Sequence, residues 1–98
     1  MNYRIIRVRI SVLEPPYDSL EIIDLVRNKF SSHRINRIQL KFRMKRKNKE
    51  IFYLIVYFRR KTVLSFKWMD NLWTLYYTYR ITELMKRYKS QVDKREIQ

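Results

Sequence analysis

The sequence predicts an α+β domain in which a mostly antiparallel sheet carries two helices on one face. Three observations lead there. Two segments alternate apolar and polar residues with the period of a half-buried strand. Another places apolar residues at helical spacing behind a capping signal, and a further one is a continuous run of strand formers after a short polar connection. The order is strand, helix, strand, strand, a further short strand, then a C-terminal helix.

The first strand spans Arg4 to Glu14, where Ile6, Val8, Ile10 and Val12 alternate with Arg7, Arg9 and Ser11. Pro15 and Pro16 end it, because proline offers no N–H to a ladder and restricts the residue before it. Asp18 then caps free N–H groups, with Glu21 placed to reach back as in a capping box. The helix they open carries Leu20, Ile23, Phe30 and either Leu25 or Val26 as its apolar stripe. Its acids (Asp18, Glu21, Asp24) come early and its bases (Arg27, Lys29) late, as the helix dipole favours, and it runs to about Ser31. The second strand, Arg37 to Lys45, alternates Ile38, Leu40, Phe42 and Met44 with five polar residues. Arg46 to Lys49 is a hairpin connection, and Glu50 to Phe58 is the third strand. Its unbroken apolar character fits a central strand or one covered on both faces, unless Tyr53 and Tyr57 offer their rings to a partner. Tyr76–Ile81 is rich in aromatic and β-branched types and reads as strand. From Thr82 the residues Leu84/Met85, Tyr88 and Val92 recur at helical steps, with fraying from Asp93. A ferredoxin-like sandwich with an extended basic hairpin fits this order, as one domain over 1–98.

Composition says what kind of partner such a domain wants. Its 98 residues carry 23 Lys+Arg against 9 Asp+Glu, a formal charge of +14, with 46% apolar residues for a core. Self-repulsion on that scale calls for an anionic partner. Glycine is absent, so no P-loop, dinucleotide fingerprint or nucleophile elbow can be written. Without cysteine and with one histidine, a thiolate site or multi-histidine metal centre is excluded. The longest apolar run, Ile51 to Phe58, has eight residues, short of the roughly 18–20 that span a bilayer. Arginines interrupt the N-terminal apolar residues, unlike an export signal. No membrane, small-molecule substrate, cofactor or catalytic residue is expected.

The strongest functional signal is Arg37, Lys41, Arg43, Lys45, Arg46, Lys47 and Lys49, seven bases within thirteen residues. A solvated strand face explains the alternation. It does not explain the continuation through the turn without an acid before Glu50, nor the second block Arg59, Arg60 and Lys61, so phosphate contact is the expectation. Arg7 and Arg9 either join that surface or cover one edge. The aromatics are expected in the core rather than as a base-stacking platform, since no RNP-like pattern is present. Asp18, Glu21 and Asp24 are read as helix-dipole acids rather than metal ligands. His33 is read as a dipole or phosphate contact rather than a catalytic base.

Three stretches resemble the small-subunit ribosomal protein ten family, which includes the antitermination partner NusE. Ile6-Arg-Val-Arg-Ile10 resembles its first strand and Glu50-Ile-Phe-Tyr-Leu-Ile55 its strand after the hairpin loop. Tyr77-Thr-Tyr-Arg80 resembles its Tyr-x-x-Arg motif before the last helix, with Ile81-Thr82 where the family has Thr-His. The resemblance implies a divergent structural component of the small-subunit head, bound to ribosomal RNA and neighbouring ribosomal proteins through the hairpin, with Arg80 as a contact. Ile, Lys, Tyr, Phe and Asn make up 39 of the 98 residues, the mark of an AT-rich genome, either organellar, which would place the chain in a mitochondrial ribosome, or viral. The alternative is a small viral or mobile-element regulator that binds duplex DNA or blocks a host nucleoprotein machine. A metal-dependent nuclease using Asp70 or Glu83 is the poorest option, the acids being sparse near the bases.

Overall fold

The computed structural model describes residues 3–13, 18–46, 49–61 and 67–97, with the side chains of residues 13, 42–46, 49–51, 67, 96 and 97 outside the description. Its elements are β1 (Tyr3–Leu13), α1 (Ser19–Lys29), β2 (Ile35–Arg46), β3 (Lys49–Lys61) and α2 (Lys67–Ile97). The strands form one antiparallel sheet in the order β1-β3-β2, so the most apolar strand takes the centre. Two helices on this sheet make a ferredoxin-like α+β arrangement. The prolines after β1, and Lys47 and Asn48 of the expected hairpin connection, lie outside the described residues.

Register decides which side chains meet. Ile6 pairs with Phe58, Val8 with Val56, Ile10 with Leu54 and Val12 with Phe52, which puts the even residues of β1 and β3 on one face. Opposite Val56 and Leu54 on the other side stand Ile38 and Leu40. Between Ile35 and Arg37 the register shifts by one residue. This bulge keeps the odd-numbered Ile35 over the core while Arg37 joins the other face.

Both helices cover the even face. In α1, Asp18 accepts from the N–H groups of Leu20 (3.0 Å) and Glu21 (3.4 Å). Replacing Asp18 with Ala is expected to cost about 1 kcal/mol in urea unfolding. The reciprocal half of a capping box is not made. The Glu21 carboxylate instead accepts from Tyr88 (3.3 Å) and Arg95 (3.1 Å), tying α1 to α2. Burial pushes the Tyr88 hydroxyl up from its ordinary pKa, keeping it a donor. The buried stripe is Ile22, Val26 and Phe30, whereas Leu20 is exposed.

The expected strand Tyr76–Ile81 is helix. It belongs to α2, which starts fifteen residues ahead of Thr82 and runs through Ile97 instead of fraying from Asp93. Tyr77, Ile81, Met85 and Tyr88 are its buried stripe, extended towards the N-terminus by the partly buried Trp73. One turn earlier, Asp70 pairs with Arg4 of β1 at 2.5 Å. At 31 residues, α2 is about 46 Å long.

Phe58 and Tyr77, both buried, stack with centroids 3.7 Å apart and an interplanar angle of 6°. Phe30 meets each of them edge-on. The end of α1, the central strand β3 and α2 meet at this point.

Candidate nucleic-acid interface

With both helices on the even face, the odd face of the sheet is left open. Its cations follow from the register. Arg7 of β1 and Arg37 of β2 flank Tyr57 of β3; Arg9 and Gln39 flank Ile55; Ser11 and Lys41 flank Tyr53. Arg59 and Lys61 continue the row beside Ile5 and Tyr3. Arg7, Arg9, Arg37, Lys41, Arg59 and Lys61 are exposed, and no Asp or Glu lies among the described side chains of this face.

The central strand supplies the aromatic groups. Tyr53 and Tyr57 are half-buried, about 13 Å apart along β3. Arg9 lies 5.0 Å from the Tyr53 ring centroid, and Arg59 lies 4.2 Å from that of Tyr3. Ile55, between the tyrosines, is only 2% exposed although no helix covers it. Its neighbours across the sheet are the long side chains of Arg9 and Gln39, whose stems bury apolar surface while their polar ends reach water. The result is a strip of cations around two rings, able to hold phosphates at its sides and bases at its centre.

Not every expected contact lies here. Arg43, Lys45, Arg46 and Lys49 extend the hairpin at the end of β2 and the start of β3, with side chains outside the description, and Lys47 lies outside the described residues. Arg60 is of even register, and its guanidinium sits 3.4 Å from the Trp73 ring centroid and donates to the Tyr77 hydroxyl at 3.4 Å. It belongs to the helix side. So does Arg80, on α2, with its guanidinium 5.8 Å from the Tyr76 ring centroid. The Tyr77-to-Arg80 segment lies within the last helix, not ahead of it.

His33 joins the Arg60 side. Its Nδ1 is 2.9 Å from the Tyr77 hydroxyl. That oxygen also accepts from Arg60, so it joins the two side chains. Burial, followed by the charges of Arg60 and Arg80, holds His33 below its ordinary pKa of 6.5. The sign follows: the unfolded chain takes up the proton first on acidification, so His33 contributes stability above the unfolded pKa that is lost as pH falls through the folded one. Urea midpoints between pH 7 and 5 should show a fall in stability that His33→Asn removes.

Around the β2 end of the open face, Arg27, His33, Arg34 and Arg59 line a cleft of about 570 Å³ with no carboxylate among its lining residues. The Arg59 N–H donates to the Arg34 carbonyl at 2.7 Å, fixing the two arginines side by side. Sequence reasoning overlooked Arg34, which stands alone between two elements and joins the basic surface only through this backbone bond. Of the carboxylates offered for metal chemistry, Asp70 pairs with Arg4 and Glu83 with Lys86. Among the described residues no group of three or more His, Cys, Asp or Glu comes together to hold a metal ion, and no helix is long and apolar enough to cross a membrane.

No protein-family model matches the chain, and no curated protein does. A crystal structure from Thermococcus onnurineus NA1 aligns over 96% of this chain and 96% of its own, at 17% identity and a TM-score of 0.41.

Proposed function

We propose that this chain is an RNA-binding protein that lays the open face of its sheet against single-stranded or unpaired RNA. The observation that carries the reading is the register itself. It sets Tyr53 and Tyr57 on the central strand and Arg7, Arg9, Arg37 and Lys41 on both flanks, without an intervening described carboxylate. An open sheet face of this kind offers no protruding helix to a major groove. It suits splayed bases that stack on rings while phosphates meet cations.

Fluorescence-anisotropy titration tests it. If all six exposed cations of the face engage phosphates, log K should fall against log[salt] with a slope of about −4, or roughly 300-fold between 50 and 200 mM salt. Single-stranded RNA should bind more tightly than duplex DNA of equal length. Equal binding to the duplex, or a flat salt dependence, would exclude this mode.

In its narrower form the proposal places the chain in the small ribosomal subunit, with ribosomal RNA and neighbouring proteins as partners. Support comes from the Ile6–Ile10 and Glu50–Ile55 segments and the element order. Co-sedimentation with small subunits after a moderate salt wash is the expected result. The alternative, a nucleic-acid-binding regulator outside the ribosome, is favoured by one observation, the exposed apolar side chains Trp68, Leu72, Leu75 and Tyr79 of α2.

A further inference from the structure

The N-terminal half of α2 is apolar on both sides. Its inner face, Trp73, Tyr77 and Ile81, packs on the sheet. Trp68, Leu72, Leu75 and Tyr79 recur at steps of four, three and four on the opposite side, exposed by 59, 55, 67 and 65%, with Met69 and Tyr76 at the margin. Beyond Arg80 the same side turns polar, through Glu83, Lys86 and Ser90. A helix apolar all round is ordinarily buried all round.

We propose that this stripe is the interface of a homodimer, in which α2 packs antiparallel against α2 of a second copy. Three features on the helix select that occupant. The first is charge. The surface of a chain with +14 formal charge repels its own copy almost everywhere, yet positions 68–79 contain no base, and their single acid, Asp70, is paired inward with Arg4. This is where two copies can approach without facing like charges. The second is area. Six large side chains with one-third to two-thirds of their surface outward expose roughly 700 Å², near the about 800 Å² per partner of a standard interface. The third is direction. A parallel pair would lay Lys86, Arg87, Lys89 and Lys94 against their own copies, whereas an antiparallel pair overlapping at 68–79 carries these bases to opposite ends.

The stripe points away from the sheet, so the dimer exposes its two open sheet faces back to back. It would bind two RNA segments, but the pairing itself does not rest on the RNA reading and is tested without nucleic acid.

Sedimentation equilibrium of the full chain in 0.5 M salt, which suppresses long-range repulsion, should give a dimer in the micromolar range. Leu72→Asp with Leu75→Asp should weaken self-association about 100-fold or more while circular dichroism keeps its helix signal. Lys86→Asp, on the polar continuation, should leave the dimer intact. A second measurement covers the case in which the double variant does not fold. The chain has no cysteine, and in an antiparallel pair position 75 lies close to the two-fold axis. Leu75→Cys should therefore cross-link to its own copy under copper-catalysed air oxidation, and Lys86→Cys should not. A monomer at every concentration up to about 100 μM overturns the proposal, whether or not the stripe then binds lipid vesicles or another protein. Cross-linking through position 86 in place of 75 overturns the antiparallel arrangement.

Discussion

Replacing Arg7, Arg9, Arg37 and Lys41 together with Gln should weaken binding to single-stranded RNA several hundred-fold at 0.1 M salt. The magnitude follows from counterion release. Each neutralised phosphate contributes about 0.7 to the slope of log K against log[salt] on a single strand, so removing four cations at 0.1 M costs nearly three decades. The slope itself should drop from about −4 to about −1.4, which a general loss of structure would not reproduce. Gln is the informative replacement because it keeps most of the stem that covers Ile55. A charge-matched control removes Lys86, Arg87, Lys89 and Lys94, all on α2. Its net charge changes by the same amount, yet affinity should shift by only a few-fold, because those bases lie on the helix layer. Equal losses in the two variants would mean that basicity alone, and no particular face, drives binding.

Phe58→Ala should remove most of the fold's stability. The ring is 1% exposed, stacks on Tyr77 at 3.7 Å and meets Phe30 edge-on. Its loss leaves a cavity where both helices meet the central strand, and such truncations cost about 3–5 kcal/mol against a total of about 5–15 kcal/mol. Urea unfolding followed by circular dichroism measures it. Tyr77→Phe separates packing from hydrogen bonding at the same place. It keeps the ring but leaves His33 and Arg60 without their shared oxygen, at an expected cost of about 1–2 kcal/mol. A cost below about 1 kcal/mol for Phe58→Ala would mean that the aromatic stack does not hold the layers together.

The three strands and α1 were legible in the sequence because each buries one face, and a buried face leaves a period. Arg37 to Lys45 alternates without exception, and β3 is a run of strand formers because it has neighbours on both edges and side chains over both faces. The first half of α2 was not legible for a related reason. With Trp73, Tyr77 and Ile81 inside and Trp68, Leu72, Leu75 and Tyr79 outside, the helical stripe is flooded, and what remains visible is an aromatic segment that resembles a strand. The basic surface was half legible. Arg59, Arg60 and Lys61 read as one block, yet a strand sends neighbours to opposite faces, and the parity of Val56 and Phe58 already sets Arg60 inward. Tyr53 and Tyr57 were visible as candidates, but which face of β3 the helices cover depends on the packing of distant segments.

RNA binding by the open sheet face is tested most directly by ultraviolet cross-linking of the full chain to single-stranded RNA, followed by peptide mapping. Cross-links should fall on Tyr53 and Tyr57 of β3, and should disappear when the four flanking cations are replaced by Gln. Cross-links confined to Trp68, Trp73, Tyr76 or Tyr79 of α2, with β3 silent, would contradict it and move the interface to the helix layer.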